Sequence, residues 1–376
     1  MNINYKLSSR QLLLIGVLFS LLLTSCERKP DTDRLDIQLI EILTIGEDDP
    51  ESPNEYLFEY ISTIALDSRG YIYVGEHDKT TVRVYDPEGN YTYSIGGKGR
   101  GPGEFEEVTA IHIDRHDRLV VVDRTNARLT LFMLDGELID IRTIPDLTFT
   151  RTILELDDDS FLFLYASGDP NYLVHAADSS LREIQSSFVS FDEVRHTDTI
   201  FEELFARFNP GLITPLTQSD ILYVPYLYGG ILHRYSKNDE GEWKHSGTVR
   251  GFAERDIPLR EVDRGSGVRA DGIIGTPEGM VAAIFYQRSQ GLFTLSDGSV
   301  VHFTAVRNNE ENIFRVELFD RNLTFIGFSD IEDSGGERIR VLWKDDDDNF
   351  YIADGRDYPK LVKSRLELGG SRNLIN

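Results

Sequence analysis

Sulfur is scarce in this sequence, with one cysteine, Cys26, and three methionines among 376 residues. A single thiol excludes any disulfide within the chain and leaves a cysteine-based metal cluster without ligands. Cations are short too, with 39 Lys and Arg against 64 Asp and Glu, a formal charge of −25. A surface of that sign repels phosphate backbones, so nucleic acid is not an expected partner. A membrane-crossing helix needs ~20 apolar residues, and the longest apolar run, residues 12–23, stops well short. Familiar catalytic signatures are missing as well. The glycine-rich stretch 96–103 does not end in Gly-Lys-Ser/Thr as a phosphate-cradling loop does, and there is no His-Glu-x-x-His and no Gly-x-Ser-x-Gly.

The short apolar run has its own meaning. Lys6 and Arg10 precede it and Leu23-Thr24-Ser25-Cys26 ends it, the layout of a cleaved export signal with small residues at the cut. The four residues resemble the bacterial lipoprotein lipobox, which implies cleavage before Cys26 and lipid on its sulfur and amine. An ordinary secretory signal with a coincidental cysteine is the plainer reading. Residues 1–25 are therefore expected to be a signal peptide and 26–36 a polar tether. The expected place is the cell envelope, lipid-anchored to the outer membrane, with the membrane as one partner.

The remainder of the chain is rich in core-forming residues, 40% hydrophobic and 11% aromatic over the whole sequence, with 31 glycines and few long apolar runs, which favours β-structure. Short strand patterns separated by turns occur in blocks, and residues 95–105 divide two blocks that copy one another. First turns fall at Asp67, Asp114, Asp157, Gln218, Asp297 and Asp346. A recurring interval of roughly 40 to 50 residues with four strands each predicts a β-propeller, here six-bladed. Two intervals are longer. One holds Thr199-Ile200-Phe201-Glu202, a capping box opening a helix that Asn209-Pro210-Gly211 stops, so an insertion is expected at about 192–211. The other, 251–291, has length enough to leave a seventh blade open. The last block has three clear strands, while residues 37–45 form a strand with no sequence neighbour to pair with. An open ring would expose strand edges, so this N-terminal strand is expected to complete the last blade, giving a propeller over 37–368 and a tail at 369–376.

Residues 95–105 are similar to the connector of NHL-type propellers, and Leu119-Val120-Val121-Val122-Asp123-Arg124-Thr125-Asn126-Ala127-Arg128-Leu129 resembles their strand signature of Val-x-Asp-x-x-Asn-x-Arg-aliphatic. The whole chain resembles the six-bladed, NHL/TolB-like propeller lipoproteins of Bacteroides-like bacteria. Blade one departs from the signature with Glu76 for the aspartate, and blade six keeps Asp354 but continues with Gly355-Arg356-Asp357 instead of the signature residues. This resemblance implies an architecture and an address, not a reaction.

The strand-end residues Glu76, Asp123, Asn126 and Asp354 have two readings. Carboxylates and amides there satisfy the backbone of tight turns, and Arg128 can bridge neighbouring carboxylates. Alternatively they line one mouth of the central channel and converge on a polar ligand or cation. Arg255, Arg260, Arg264 and Arg269 in the second insertion, interleaved with acids, are either paired locally or offer an acidic partner a landing site. The run Asp345 to Asn349 begins like a calcium loop but has Phe350 in place of its glycine, and His112 and His116 straddle a turn; both read as structural. The function expected is a ligand-binding or protein-interaction propeller for an extracytoplasmic protein, peptide or glycan, with no cofactor. The alternative is a metal-dependent hydrolase or lactonase holding Ca2+ on the axis with three or four converging oxygen ligands.

The lipobox makes a direct prediction. Cys26→Ser should move the protein out of the membrane fraction, since no second anchor is expected once the apolar run is cleaved. Retention of the variant after a carbonate wash would sink the lipoprotein reading.

Overall fold

The computed structural model describes residues 33–369 apart from 78, 144–149, 151, 165–170, 254, 256, 264–269, 277–278, 309–310 and 332–334. Cys26 and most of the tether, along with Arg264 and Arg269, lie outside the described residues. The unit from Leu35 onward is built almost wholly of antiparallel strands. Strand β1 (Ile37–Ile45) comes first. The first sheet is β2 (Ile61–Leu66), β3 (Ile72–Glu76), β4 (Thr81–Tyr85) and β5 (Tyr91–Gly96), and the second is β6 (Val108–Ile113), β7 (Arg118–Asp123), β8 (Arg128–Met133) and β9 (Leu138–Thr143). The third holds β10 (Thr152–Glu155), β11 (Phe161–Leu164), β12 (Tyr172–Ala177) and β13 (Ile184–Ser190). Two helices come next, α1 (Phe191–Val194) and α2 (Ile200–Phe208). The fourth sheet is β14 (Leu212–Thr217), β15 (Asp220–Val224), β16 (Ile231–Lys237) and β17 (Trp243–Arg250). Then come β18 (Leu259–Val262), β19 (Gly272–Thr276) and β20 (Gly279–Phe285), a small sheet ordered β18-β20-β19. The fifth four-stranded sheet is β21 (Gln287–Thr294), β22 (Val300–Asn308), β23 (Glu311–Phe319) and β24 (Phe325–Ile331). Finally β25 (Ile339–Lys344), β26 (Asn349–Asp354) and β27 (Lys360–Leu368) take β1 as their fourth strand.

Turn chemistry explains why aspartates recur at the same place in so many hairpins. Asp67, Asp86, Asp114, Asp320 and Asp345 each accept the backbone N–H groups two and four residues on, which closes the hairpin. The turn's last residue is left-handed, φ +83° at Gly70 and +54° at Asp117, a conformation glycine and aspartate tolerate. Some turns also staple one sheet to the next. Ser68 gives its N–H and hydroxyl to Asp117, at 3.2 and 2.7 Å, and Ser296 repeats the contact with Asp348.

Burial lies between sheets, as strands apolar on both faces require. Ala65, Tyr73 and Val82 of the first sheet pack with Val108, Ile111 and Leu119 of the second. Comparable clusters sit at each later junction, and the last one joins Tyr351, Ala353 and Leu361 to Ile45, Ile61 and Ile72. The leading strands succeed one another in space: β2 lies beside β6, β6 beside β10, β10 beside β14, β14 beside β21, β21 beside β25, and β25 beside β2.

The glycine connector is a folded clip. Phe105 and Gly97 bond backbone to backbone at 2.6 Å, and a Cβ on Gly96 (φ +94°) would strike the Phe105 ring at 2.3 Å. Arg128 does not act as the expected bridge between carboxylates: Asp123 is 3.9 Å away, and the guanidinium instead donates to the connector carbonyls of Arg100, Gly101 and Glu104. With those carbonyls capped by a cation, the clip has no resemblance to an anion cradle.

The second insertion also differs from its expected form. Gln287–Thr294 is the leading strand of the fifth sheet, so the segment 251–291 overlaps the blade. Its strands make a three-stranded sheet whose Leu259, Ala283 and Phe285 pack on Phe201 of α2, outside the stack between blades, so it is no seventh blade. In α2 the Thr199 hydroxyl accepts the Glu202 N–H at 3.2 Å, but Glu202 does not reach back to the Thr199 N–H. It bonds His196 and Thr197 instead, and those donors overcome burial to hold its carboxyl below the usual range.

β1 pairs with β27 from Ile37↔Leu368 to Ile45↔Leu361 with a bulge between Glu41 and Leu43. Removing residues 36–46 should therefore destabilise the whole unit, because Ile37 and Ile45 belong to two different inter-sheet clusters. A truncated chain melting at the temperature of the intact mature protein would refute this.

Candidate functional site

All six leading strands wall one cavity. Thr63, Ile111, Ile153, Ile213, Leu292 and Leu342, one from each, line a space of about 420 Å3. That is within the ~300–1,000 Å3 of small-molecule sites. The wall is mostly aliphatic, threonine and serine with Phe293 and Trp343, its amides and cations are Asn209, Gln290, Arg340 and Lys344, and among the described residues it carries no carboxylate and no imidazole. Thr109 presents a buried hydroxyl oxygen with no hydrogen-bond partner among the described residues.

The cavity adjoins a second space of about 290 Å3 at the end where the leading strands begin, the two sharing Tyr60, Tyr226, Gln290 and Arg340. Arg338, Lys360, Glu59 and Asp354 complete the polar part of this mouth. The Arg340 guanidinium donates to the Ile61 carbonyl and lies 4.2 Å over the Tyr60 ring. Lys360 has Asp354 and Asp357 carboxylates 3.9 Å off. Gln290 is only 5% exposed, and its amide makes no hydrogen bond to the described residues.

The four strand-end residues do not converge. Glu76 accepts the Glu59 N–H at 2.7 Å and meets Arg83 at 3.1 Å, behind the mouth. Asp123 takes the N–H groups of Glu106, Glu107 and Asn126 and the Asn126 amide, while Asn126 also donates to the Gly99 carbonyl. These are locks on the connector and the next strand. Asp354 alone reaches the mouth. Burial alone would push its carboxyl up, yet Arg356, at 2.8 to 3.0 Å, holds it below the usual range. Each carboxylate is spent within its own sheet because a hairpin's buried N–H groups need an acceptor close by. Among the described residues no three His, Cys, Asp or Glu side chains gather where a metal could sit.

Of the insertion arginines, Arg255 is exposed with its guanidinium 4.1 Å over Tyr286, and Arg260 is exposed on β18. The segment's Asp271 pairs with Arg307, at 2.6 Å, rather than with either.

One buried group had no signal in the sequence. Ser289 Oγ lies 3.0 Å from His302 Nε2, and Glu317 is 3.5 Å from Nδ1, spacings that suggest an acyl-transfer triad. The hydroxyl, however, donates to the Pro225 carbonyl at 2.9 Å, so the imidazole has no serine proton to take. Glu317 accepts from the Tyr228 hydroxyl at 2.9 Å, the Gln287 amide at 3.3 Å and the Phe252 N–H at 3.4 Å. Burial and this carboxylate together push the Tyr228 phenol well up. The group is a crosslink between the fourth and fifth sheets and the start of the insertion.

The family model of 6-bladed beta-propeller proteins matches residues 51–206. Over those residues the chain is similar to the six-bladed β-propellers. Solved structures agree on the fold. A member of the DUF4221 family from Bacteroides vulgatus is 11% identical over 90% of this chain and 100% of its own, with TM-score 0.55. A Bacteroides fragilis protein whose name marks it as a candidate exported protein is 12% identical, covering 91% and 97%, with TM-score 0.52. A Bacteroides thetaiotaomicron protein of unknown function is 12% identical over 88% and 76%, with TM-score 0.50. No curated protein matches the sequence. No helix among the described residues is long and apolar enough to cross a membrane.

Breaking the crosslink should be costly. Glu317→Ala strands the Tyr228 hydroxyl and the Phe252 N–H without their acceptor, takes one acceptor from the Gln287 amide, and should lower unfolding free energy by about 3–5 kcal/mol, with Glu317→Gln costing less. Denaturant titration reads both, and a loss under ~1 kcal/mol for Glu317→Ala would show the group to be idle.

Proposed function

We propose that this propeller is a binding module of the cell envelope, held at the outer membrane by lipid on Cys26, and that it takes its ligand in the axial cavity through the Tyr60–Tyr226 mouth. The supporting observation is the cavity itself, walled by a strand from each of the six four-stranded sheets. Leading strands that are each hydrogen-bonded into a sheet of their own make a stiff wall, and a stiff preformed cavity loses little entropy on binding. In this reading β1 closes the ring, keeping the cavity's diameter fixed. The two insertions, near Tyr226, form the rim where a larger partner, a peptide or a glycan-bearing protein, would meet the module.

The test is to purify the mature chain from its native envelope, denature it, and identify small molecules released. Wild type should release one species in near-stoichiometric amount. Thr109→Trp, which fills the cavity from a wall position whose hydroxyl has no hydrogen-bond partner among the described residues, should release none while melting normally. Equal recovery from both proteins would place the ligand elsewhere.

A further inference from the structure

The mouth is cationic on a protein that is strongly anionic. Arg338, Arg340 and Lys360 face it against two carboxylates, Glu59 and Asp354. Both acids are already met from outside the lining, Glu59 by Lys79 at 2.6 Å and Asp354 by Arg356 at 2.8 Å. The Lys79 contact holds the Glu59 carboxyl below its ordinary value, so neither acid is protonated near neutral pH. The local balance is therefore positive while the chain carries −25. Lys360, 16% exposed at its side chain, has its acidic neighbours only at 3.9 Å, longer than a charge-assisted hydrogen bond. Gln290, nine-tenths buried and without a hydrogen-bond partner among the described residues, adds amide donors at the throat where the mouth meets the cavity.

Beyond the throat the chemistry changes. The wall offers Ile64, Ile111, Ile153, Leu292, Val341 and Trp343, and the cation at the far end, Lys344, is consumed by Asp348 at 2.8 Å and the Asp345 carbonyl. An ionised group placed deep in the cavity would have no charged partner left, whereas an apolar group there would shed water onto an apolar surface. Charge is welcome at one end of the site and apolar surface at the other.

From this polarity we propose that the ligand is an amphipathic anion: one acidic head, carboxylate or phosphate, at Arg338, Lys360 and Gln290, and an apolar body in the axial cavity. The inference rests on the channel reading above and narrows it to one chemical class. It also moves the anion site from the insertion arginines to the mouth, because Arg255 faces Tyr286 and Arg260 lies on an exposed strand, neither lining the cavity or its mouth.

Decanoate, decanol and decyltrimethylammonium share one body and differ in head, and Trp343 in the cavity wall reports their binding by fluorescence. Decanoate should bind the mature chain at least about tenfold tighter than decanol, as a charge-assisted contact to a cation implies, and the cationic analogue weaker still. The advantage of decanoate should shrink as salt is raised, since the mouth is open to solvent. Arg338→Met with Lys360→Met should abolish the preference for decanoate and leave decanol unchanged. The comparison of heads and the salt series use the unaltered protein, so they decide the matter even if the double variant folds poorly. Decanoate and decanol binding equally would overturn the acidic head while leaving the channel reading in place. Failure of all three to bind would remove both.

Discussion

Strand edges are the constraint on which the rest of this structure depends. A four-stranded sheet leaves two rows of backbone donors and acceptors, one on its first strand and one on its last. Here the leading edges are turned toward a common axis, and the chain's first strand is added to its last sheet, β1 beside β27. The axial cavity is a consequence of that arrangement. Six leading edges cannot approach one another closer than their side chains allow, and the space left between them is about 420 Å3. The site is thus a by-product of how the sheets are set around the axis, furnished by the side chains at its ends.

Charge is used economically in this frame. Aspartates close hairpins, staple Ser68 to Asp117 and Ser296 to Asp348, and lock the connector through Asp123. An acidic residue that accepts several backbone N–H groups is tied to its own hairpin and is not available to a metal or ligand. This accounts for a protein with 64 acids whose axial cavity has none on its described wall. The cations that do face the mouth come from the start of β25 and its preceding turn and from the start of β27, elements of the sheet that β1 completes. The sheet that joins the two ends of the chain therefore also carries the site's charge.

The two insertions show how a repeat scaffold acquires individuality. Helix α2 and the three-stranded sheet share a small apolar cluster of their own, and Arg315, fully buried, lies beside the stacked rings of Phe252 and Phe328, 4.8 and 4.3 Å from their centres, where the second insertion leaves the fold. Both segments flank Tyr226, one of the residues shared by mouth and cavity. Loops and insertions held on a rigid frame are where recognition varies without disturbing the core.

The properties that the residues determine by themselves are local and periodic. Alternation and turn chemistry mark each hairpin, the recurring turns count the blades, the unpaired strand at 37–45 announces where it must go, and Leu23-Thr24-Ser25-Cys26 states an expected address. Tertiary structure alone decided which polar residues are spoken for. Glu76, Asp123 and Asp354 stand at equivalent strand ends, and nothing in their order distinguishes a ligand-facing carboxylate from one bonded to its own hairpin. That depends on distances of 2.6 to 3.3 Å to backbone N–H groups and side chains up to 17 residues away. Ser289, His302 and Glu317, and equally Arg338, Arg340 and Gln290, are scattered along the chain and meet only because neighbouring strands and sheets set them side by side. Periodicity reports the burial of a face, which each residue carries in its own chemistry. Convergence is a property of how the faces are folded together, and no single stretch of the sequence contains it.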